Sequence, residues 1–228
     1  MLQGTRTLIS PLQVYHILMS SYGPQGWWPA DTPFEVMVGA ILTQNTNWKN
    51  VEKAISNLKA ADMMDVERIA TSNPEQLAEI IRPAGFYRQK ARRLQQLCLF
   101  YLEHGRDQQL RRWPTSSLRQ QMLRVHGIGP ETADSILLYA LDKPVFVVDA
   151  YTRRIFSRLG SLPENTDYAE TQAFFHARLP SSIRIFQELH ALIVEHAKRH
   201  CRVKPLCTDC PLAHACQFAE TAESACDA

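Results

Sequence analysis

Val125-His126-Gly127-Ile128-Gly129-Pro130-Glu131-Thr132-Ala133 separates two stretches of helical hydrophobic spacing. Two glycines around one apolar residue permit a tight turn whose backbone N–H groups face outward. Pro130 opens a new helix within its first turn and brings the positive end of the helix dipole to the hairpin. Ala133, Ile136, Leu137 and Ala140 then repeat at helical spacing. The stretch reads as helix, hairpin, helix, a geometry that grips phosphate without reading bases.

Outward from it, the same periodicity recurs. Phe34, Met37, Val38, Ile41 and Leu42 mark one core-facing stripe, Val51, Ala54, Ile55 and Leu58 a second, and Leu94, Leu97, Cys98 and Tyr101 a third. Further on, Ile183, Phe186, Leu189, His190, Ile193, Val194 and Ala197 predict a long helix. Prolines and glycines fall where these should end, from Pro24 to Pro180. Only Val145–Val148 reads as extended, too short for a sheet. The fold class is all-α.

Downstream of the hairpin, Lys143-Pro144-Val145-Phe146-Val147-Val148-Asp149 delivers a carboxylate to the start of a helix over 150–159. An aspartate there is a helix N-cap in the simplest reading. Near the end, Cys201, Cys207, Cys210 and Cys216 form a C-x5-C-x2-C-x5-C pattern, close enough for one loop to gather four thiolates. Zinc usually takes two CxxC knuckles with a longer spacer, so an iron–sulfur centre fits better than zinc, and both fit better than two disulfides. Lys198, Arg199, Arg202 and Lys204 flank the loop and favour a structural centre beside phosphates over an electron carrier. Cys98 belongs to an apolar stripe, and Cys226 has no evident role.

Composition sets the outer bounds. At 228 residues, 45% hydrophobic and 21% charged, the chain can bury a core without disulfides. Val36–Leu42, among its longest apolar runs, is far below the ~18 residues of a membrane span, and no membrane partner is expected. The N-terminus has no signal-peptide core, which points to the cytoplasm. Net charge is only +2, but Arg82–Arg124 carries ten basic residues against Glu103 and Asp107, predicting a basic face for a polyanion.

The Gly127-Ile128-Gly129 hairpin, the Pro144…Asp149 loop and the four-cysteine loop, in this order over roughly residues 25–216, resemble the endonuclease III superfamily of DNA glycosylases. The resemblance implies two helical lobes: a six-helix barrel over 25–145 with the hairpin motif at about 116–141, and a second lobe of 1–24 with 146–228. Between them a cleft would hold duplex DNA containing a damaged base. It implies a [4Fe–4S] cluster on Cys201, Cys207, Cys210 and Cys216, DNA contact at Gly127, Ile128 and Gly129, and Asp149 as the catalytic carboxylate. A monomer, associated with the nucleoid in a bacterium, is expected.

Departures from the family pattern bear on the chemistry. Bifunctional members carry a lysine where this chain has Glu131, and a carboxylate forms no imine with the sugar. Lys143 and Lys198 are off the motif position. Water is then the nucleophile, with Asp149 activating it or stabilising the sugar cation. Gly26-Trp27-Trp28-Pro29 and Leu42–Trp48 resemble the 3-methyladenine DNA glycosylase branch. There, aromatic residues at these segments hold the flipped base, which suggests Trp27 and Trp48, with Gln44 as the residue that wedges into the duplex. Trp28 would equally serve as a cover over the barrel end. Glu131 hydrogen-bonding a purine edge makes deaminated or mismatched bases the alternative substrate; a glycosylase/lyase for oxidised pyrimidines comes third. A non-catalytic DNA-structure binder would have no need of Asp149.

Overall fold

The computed structural model describes residues 8–219, and among these every regular element is helical. Cys226 lies outside the described residues. No helix among them is long and apolar enough to cross a membrane. The chain divides into two compact units: Trp28–Lys143, and the described residues through Trp27 together with those from Pro144 onward.

The central unit holds α2 (Pro33–Leu42), α3 (Trp48–Ala60), α4 (Val66–Thr71), α5 (Pro74–Ile80), α6 (Tyr87–Glu103), α7 (Arg106–Leu110), α8 (Thr115–Met122) and α9 (Pro130–Ser135). α2 starts where the Thr32 side chain accepts from Glu35 N and Pro33 sets the first turn, and every residue from Phe34 to Leu42 is buried. A helix buried on all faces, with Glu35 its one charged residue and paired to Lys59, has to be enclosed, and α2 is the core of this unit. α6 is amphipathic: Leu94, Leu97, Cys98 and Tyr101 are buried as the periodicity predicts, and so is Lys90. After α9 the chain widens into a π-helical segment, Ile136–Ala140, which the sequence pattern reads as uninterrupted α-helix.

The second unit begins with α1 (Pro11–Tyr22), whose Ser10 and Gln13 form a reciprocal capping box. It continues through α10 (Ala150–Arg158), α11 (Tyr168–His176) and α12 (Ile183–Arg199). Phe186, Leu189, His190, Ile193 and Ala197 of α12 are buried, whereas Ile183 and Val194, at the edge of the stripe, are half-buried. Val145–Val148 forms no strand. It runs as a buried extended segment whose backbone is satisfied by side chains of α11. Gln172 Nε2 donates to Phe146 O at 2.7 Å, and Phe146 N donates to His176 Nε2 at 3.2 Å. Phe146 stacks on Phe175 with centroids 4.0 Å apart. The segment that presents Asp149 is therefore a buried, pinned rod.

Candidate functional site

Asp149 is the N-cap of α10. Its Oδ1 accepts from Thr152 N at 2.6 Å and from Thr152 Oγ1 at 2.8 Å, while Oδ2 stands 3.6 Å from His190 Nε2 on α12. The residue is 8% exposed. Burial pushes the carboxyl up, but contact with His190 and the two Thr152 donors outweigh it and hold the group below its ordinary value. An aspartate that only capped would need Oδ1 alone. Here the second oxygen faces an imidazole, so Asp149 is an anion with low proton affinity and one oxygen not spent on the helix. His190 was legible in the sequence only as part of an apolar stripe.

In the central unit the hairpin between α8 and α9 takes the predicted form. Gly127 has φ +88°, the left-handed region that favours glycine, and Gly129 caps α9 in an extended conformation. Ile128, expected with the glycines to contact DNA, has a buried side chain, and its N–H donates to Val125 O at 3.1 Å rather than facing out. A turn this tight closes on its own middle peptide, leaving the two glycines to present donors. Arg119 of α8 grips buried Asp134 of α9 with both ends of its guanidinium, at 2.6 and 2.9 Å, and ties the two helices together. Glu131 is exposed in the first turn of α9.

Part of the charge excess of Arg82–Arg124 is buried or paired. Lys90 is buried; Arg82, Arg106 and Arg111 pair with Glu79, Glu67 and Asp142. Arg88, Arg92, Arg112 and Arg124 remain exposed. A count along the sequence cannot see which acids, outside the counted window, will neutralise it. Lys143, off the motif position, donates its ammonium to Arg111 O and Trp113 O at 2.6 and 2.7 Å. Lys198 is exposed on α12.

The aromatic group of the central unit centres on Trp28. Its ring stands edge-on to Trp48 and tilted to Tyr139, each 5.4 Å between centroids, and lies over Gly39, where a Cβ would come within 3.2 Å of the indole. Tyr139 sits in the π-helical segment and is half-exposed; the sequence offered no signal for it beyond an aromatic off the stripe. Trp27, half-buried, belongs to the other unit. Gln44 is fixed to the hairpin, with Nε2 donating to Gly127 O and Thr132 Oγ1 at 3.1 and 2.9 Å.

None of the four clustered cysteines is in a disulfide, and all four line one mainly apolar cavity with His196 and Arg158. Burial pushes the Cys210 thiol up to about 11, with the charges of Cys216, Cys201 and Cys207 adding to it against a backbone hydrogen bond that lowers it. Among the described residues no three such side chains converge on a point that would hold a single metal ion. A four-iron cluster asks for something else, since each iron takes one cysteine and the four sulfurs spread around a cube. Arg158 donates to Cys201 Sγ at 3.3 Å and to Arg202 O at 2.6 Å, and Arg154 to Cys201 O at 2.9 Å, so α10 anchors the start of the loop.

Comparison with known proteins places this geometry. The family model described as HhH-GPD superfamily base excision DNA repair protein matches residues 38–181. A Methanocaldococcus jannaschii protein with the provisional name of a DNA repair glycosylase is 51% identical over 207 residues, covering 90% of this chain and 94% of that one. Endonuclease III of Thermotoga maritima is 32% identical over 187 residues, covering 82% and 83%. Among solved structures, 3-methyladenine DNA glycosylase of H. pylori bound to 1,N6-ethenoadenine superposes with a TM-score of 0.74. It is 33% identical and covers 83% of this chain and 98% of that one.

Proposed function

The chain belongs to the HhH-GPD superfamily of base excision DNA repair proteins, and on that footing we propose that it is a monofunctional DNA glycosylase for alkylated purines. The observation that carries the monofunctional reading is Glu131, an exposed carboxylate in the first turn of α9 where a lyase needs an amine. Lys143, the nearby candidate, is held by two carbonyls. Water is then the nucleophile. Because Thr152 and His190 hold Asp149 as a weakly basic anion, electrostatic stabilisation of the sugar cation is the role its surroundings favour over proton abstraction.

An alkylated purine suits such a site. Its base carries a positive charge before the bond breaks and leaves neutral, so no acid has to protonate it. Aromatic faces attract such a cation by roughly 0.5–2 kcal/mol, and Trp28, Trp48 and Tyr139 supply them. The relative from H. pylori, named for 3-methyladenine, supports the same substrate class. Gly127, Gly129 and their hairpin hold the duplex backbone. Cys201, Cys207, Cys210 and Cys216 would hold a [4Fe–4S] cluster; four cysteines outside any disulfide on one cavity wall, with Arg158 donating to a sulfur, fit that group. Bound, it supplies a covalent cross-link for the loop.

The test is base release from methylated duplex DNA, with free base and nicked strand measured separately and without alkali. Free 3-methyladenine or 7-methylguanine with intact strands is the expected result. Nicking without alkali would overturn the monofunctional reading. Release only from deaminated or mismatched duplexes would move the substrate assignment to the alternative, for which Glu131 offers an exposed acceptor.

A further inference from the structure

Three segments far apart in sequence meet at one glutamine. Gln44 lies in the loop between α2 and α3, and its Nε2 donates to Gly127 O and Thr132 Oγ1 of the hairpin. Its Oε1 accepts from the guanidinium of Arg93, on α6. One amide thus uses both ends to join a loop, a helix and a turn. The Arg93 stem occupies the space beside Gly127 where a side chain would be: a Cβ there would overlap Cγ and stand 2.6 Å from Cδ. Gly127 therefore meets two demands, a positive φ and room for Arg93. Arg93 Nε is buried and makes no hydrogen bond, and the residue as a whole is half-buried.

The buried Ile128 side chain and the Arg119–Asp134 pair hold the turn from either side, and the Gln44 amide holds its middle. The peptide between Gly127 and Ile128 is secured at its N–H by Val125 O and at its carbonyl by Gln44. Rotation of that peptide would take the Ile128 N–H off Val125 O and loosen the turn on which the two glycine N–H groups stand, and the Gln44 bond opposes the rotation.

We infer that Arg93 is a positioning residue for DNA binding: by clamping the Gln44 amide onto the hairpin it fixes the shape of the Gly127–Gly129 turn, and it does so without touching a phosphate. The inference rests on the reading of the hairpin as a duplex contact. It assigns to an arginine in a basic stretch a role that is not electrostatic toward DNA, and the two roles differ in salt dependence. Each phosphate neutralised by a side chain contributes roughly 0.9 to the slope of log affinity against log salt. A positioning residue contributes nothing to that slope.

The experiment is fluorescence anisotropy of a labelled, undamaged duplex with the full chain over a salt series, for the wild type, R93M, Q44A, the double variant and R93K. R93M and Q44A should each weaken binding about tenfold at fixed salt, as loss of one charge-assisted contact would. Both should keep the wild-type slope. The double variant should be no weaker than either single one, because one clamp is lost once. R93K, whose ammonium can still donate to Gln44, should recover part of the loss. A slope shallower by about 0.9 in R93M would place Arg93 on a phosphate and overturn the inference; so would single effects that multiply in the double variant. Should R93M fail to fold, Q44A and R93K carry the same comparison. A wild type with no salt-dependent duplex affinity removes the hairpin reading, and this inference with it.

Discussion

Lys90 and Asp149 each bury a charge against helix ends, one in each unit, and their surroundings part company at the last contact. Lys90 is 1% exposed, and its ammonium donates to Leu42 O at 2.9 Å and Ala84 O at 2.7 Å, carbonyls at the ends of α2 and of the short turn after α5. A cation at helix C-termini is the mirror image of an anion at a helix N-terminus. Asp149 has that anion position on α10, with Oδ1 taken twice by Thr152. But where the Lys90 ammonium is enclosed by the carbonyls it caps, Asp149 keeps Oδ2 for His190. A buried charge whose contacts all close a helix is part of the scaffold; one with an atom beyond its structural contacts has something left for chemistry.

Asp149→Asn is the sharpest way to break that contrast. Asparagine caps a helix about as well as aspartate, so the variant should keep its stability within about 1 kcal/mol. Base excision should fall by at least about 100-fold, as when a transition-state charge partner is lost. Duplex binding by anisotropy should be little changed. If activity persists with the cap intact, Asp149 is only a cap, and the two buried charges are alike after all.

Lys90→Met should give the opposite signature. The stem is replaced, but two buried carbonyls lose their donor, and unfolding by urea should show a loss of about 2–3 kcal/mol near neutral pH. Activity per folded molecule should stay close to wild type. Burial, with Arg93 adding to it, lowers the Lys90 amine to about 8 from 10.5. Between these values the unfolded chain holds a proton that the folded chain has released, so wild-type stability rises with pH across this window. The variant should lack that rise. A pH-independent difference between the two proteins would mean that Lys90 stays fully protonated in its site.

How far the sequence reaches is visible in the same residues. The hydrophobic stripes place α2, α3, α6 and α12 because helical periodicity is a local signal, and Gly127 and Pro130 mark the hairpin because φ above zero and a helix start are local demands. The apolar run marks Asp149 as a helix N-cap, and only the family resemblance makes it a catalytic candidate. His190 was not legible: a histidine on a buried stripe reads as core until α12 is seen to bring it to α10. Lys90 counted as surface charge because nothing in its neighbourhood reveals that Leu42 O and Ala84 O will lie within reach. Arg119 hid in the same way, since its partner Asp134 lies across the turn. Trp28 read as a cover as readily as a pocket ring, and only the packing on Gly39 and Tyr139 makes it the centre of its group. What was missed is pairing between segments, which no periodicity encodes.

Thr152→Val keeps the shape and β-branching of the side chain and removes only the hydroxyl that donates to Oδ1 at 2.8 Å; the backbone donor at 2.6 Å stays, so α10 remains capped. Activity at neutral pH should fall only roughly threefold, the scale of one hydrogen bond among several. The acid side is more telling. Asp149 is held below its ordinary value, so its ionised form, and the stability that comes with it, is fully present above that value and is lost as pH falls through the lower folded one. Removing a donor to the carboxylate moves the folded value up toward the ordinary one. The acid limb of the activity profile should therefore begin at a higher pH in the variant, in single-turnover base release measured downward from neutrality. An acid limb that does not move would mean that the Thr152 hydroxyl serves the helix and not the charge. Oδ1 would then be as purely structural as the contacts of Lys90, and whatever sets the acidity of Asp149 would lie on the Oδ2 side, with His190.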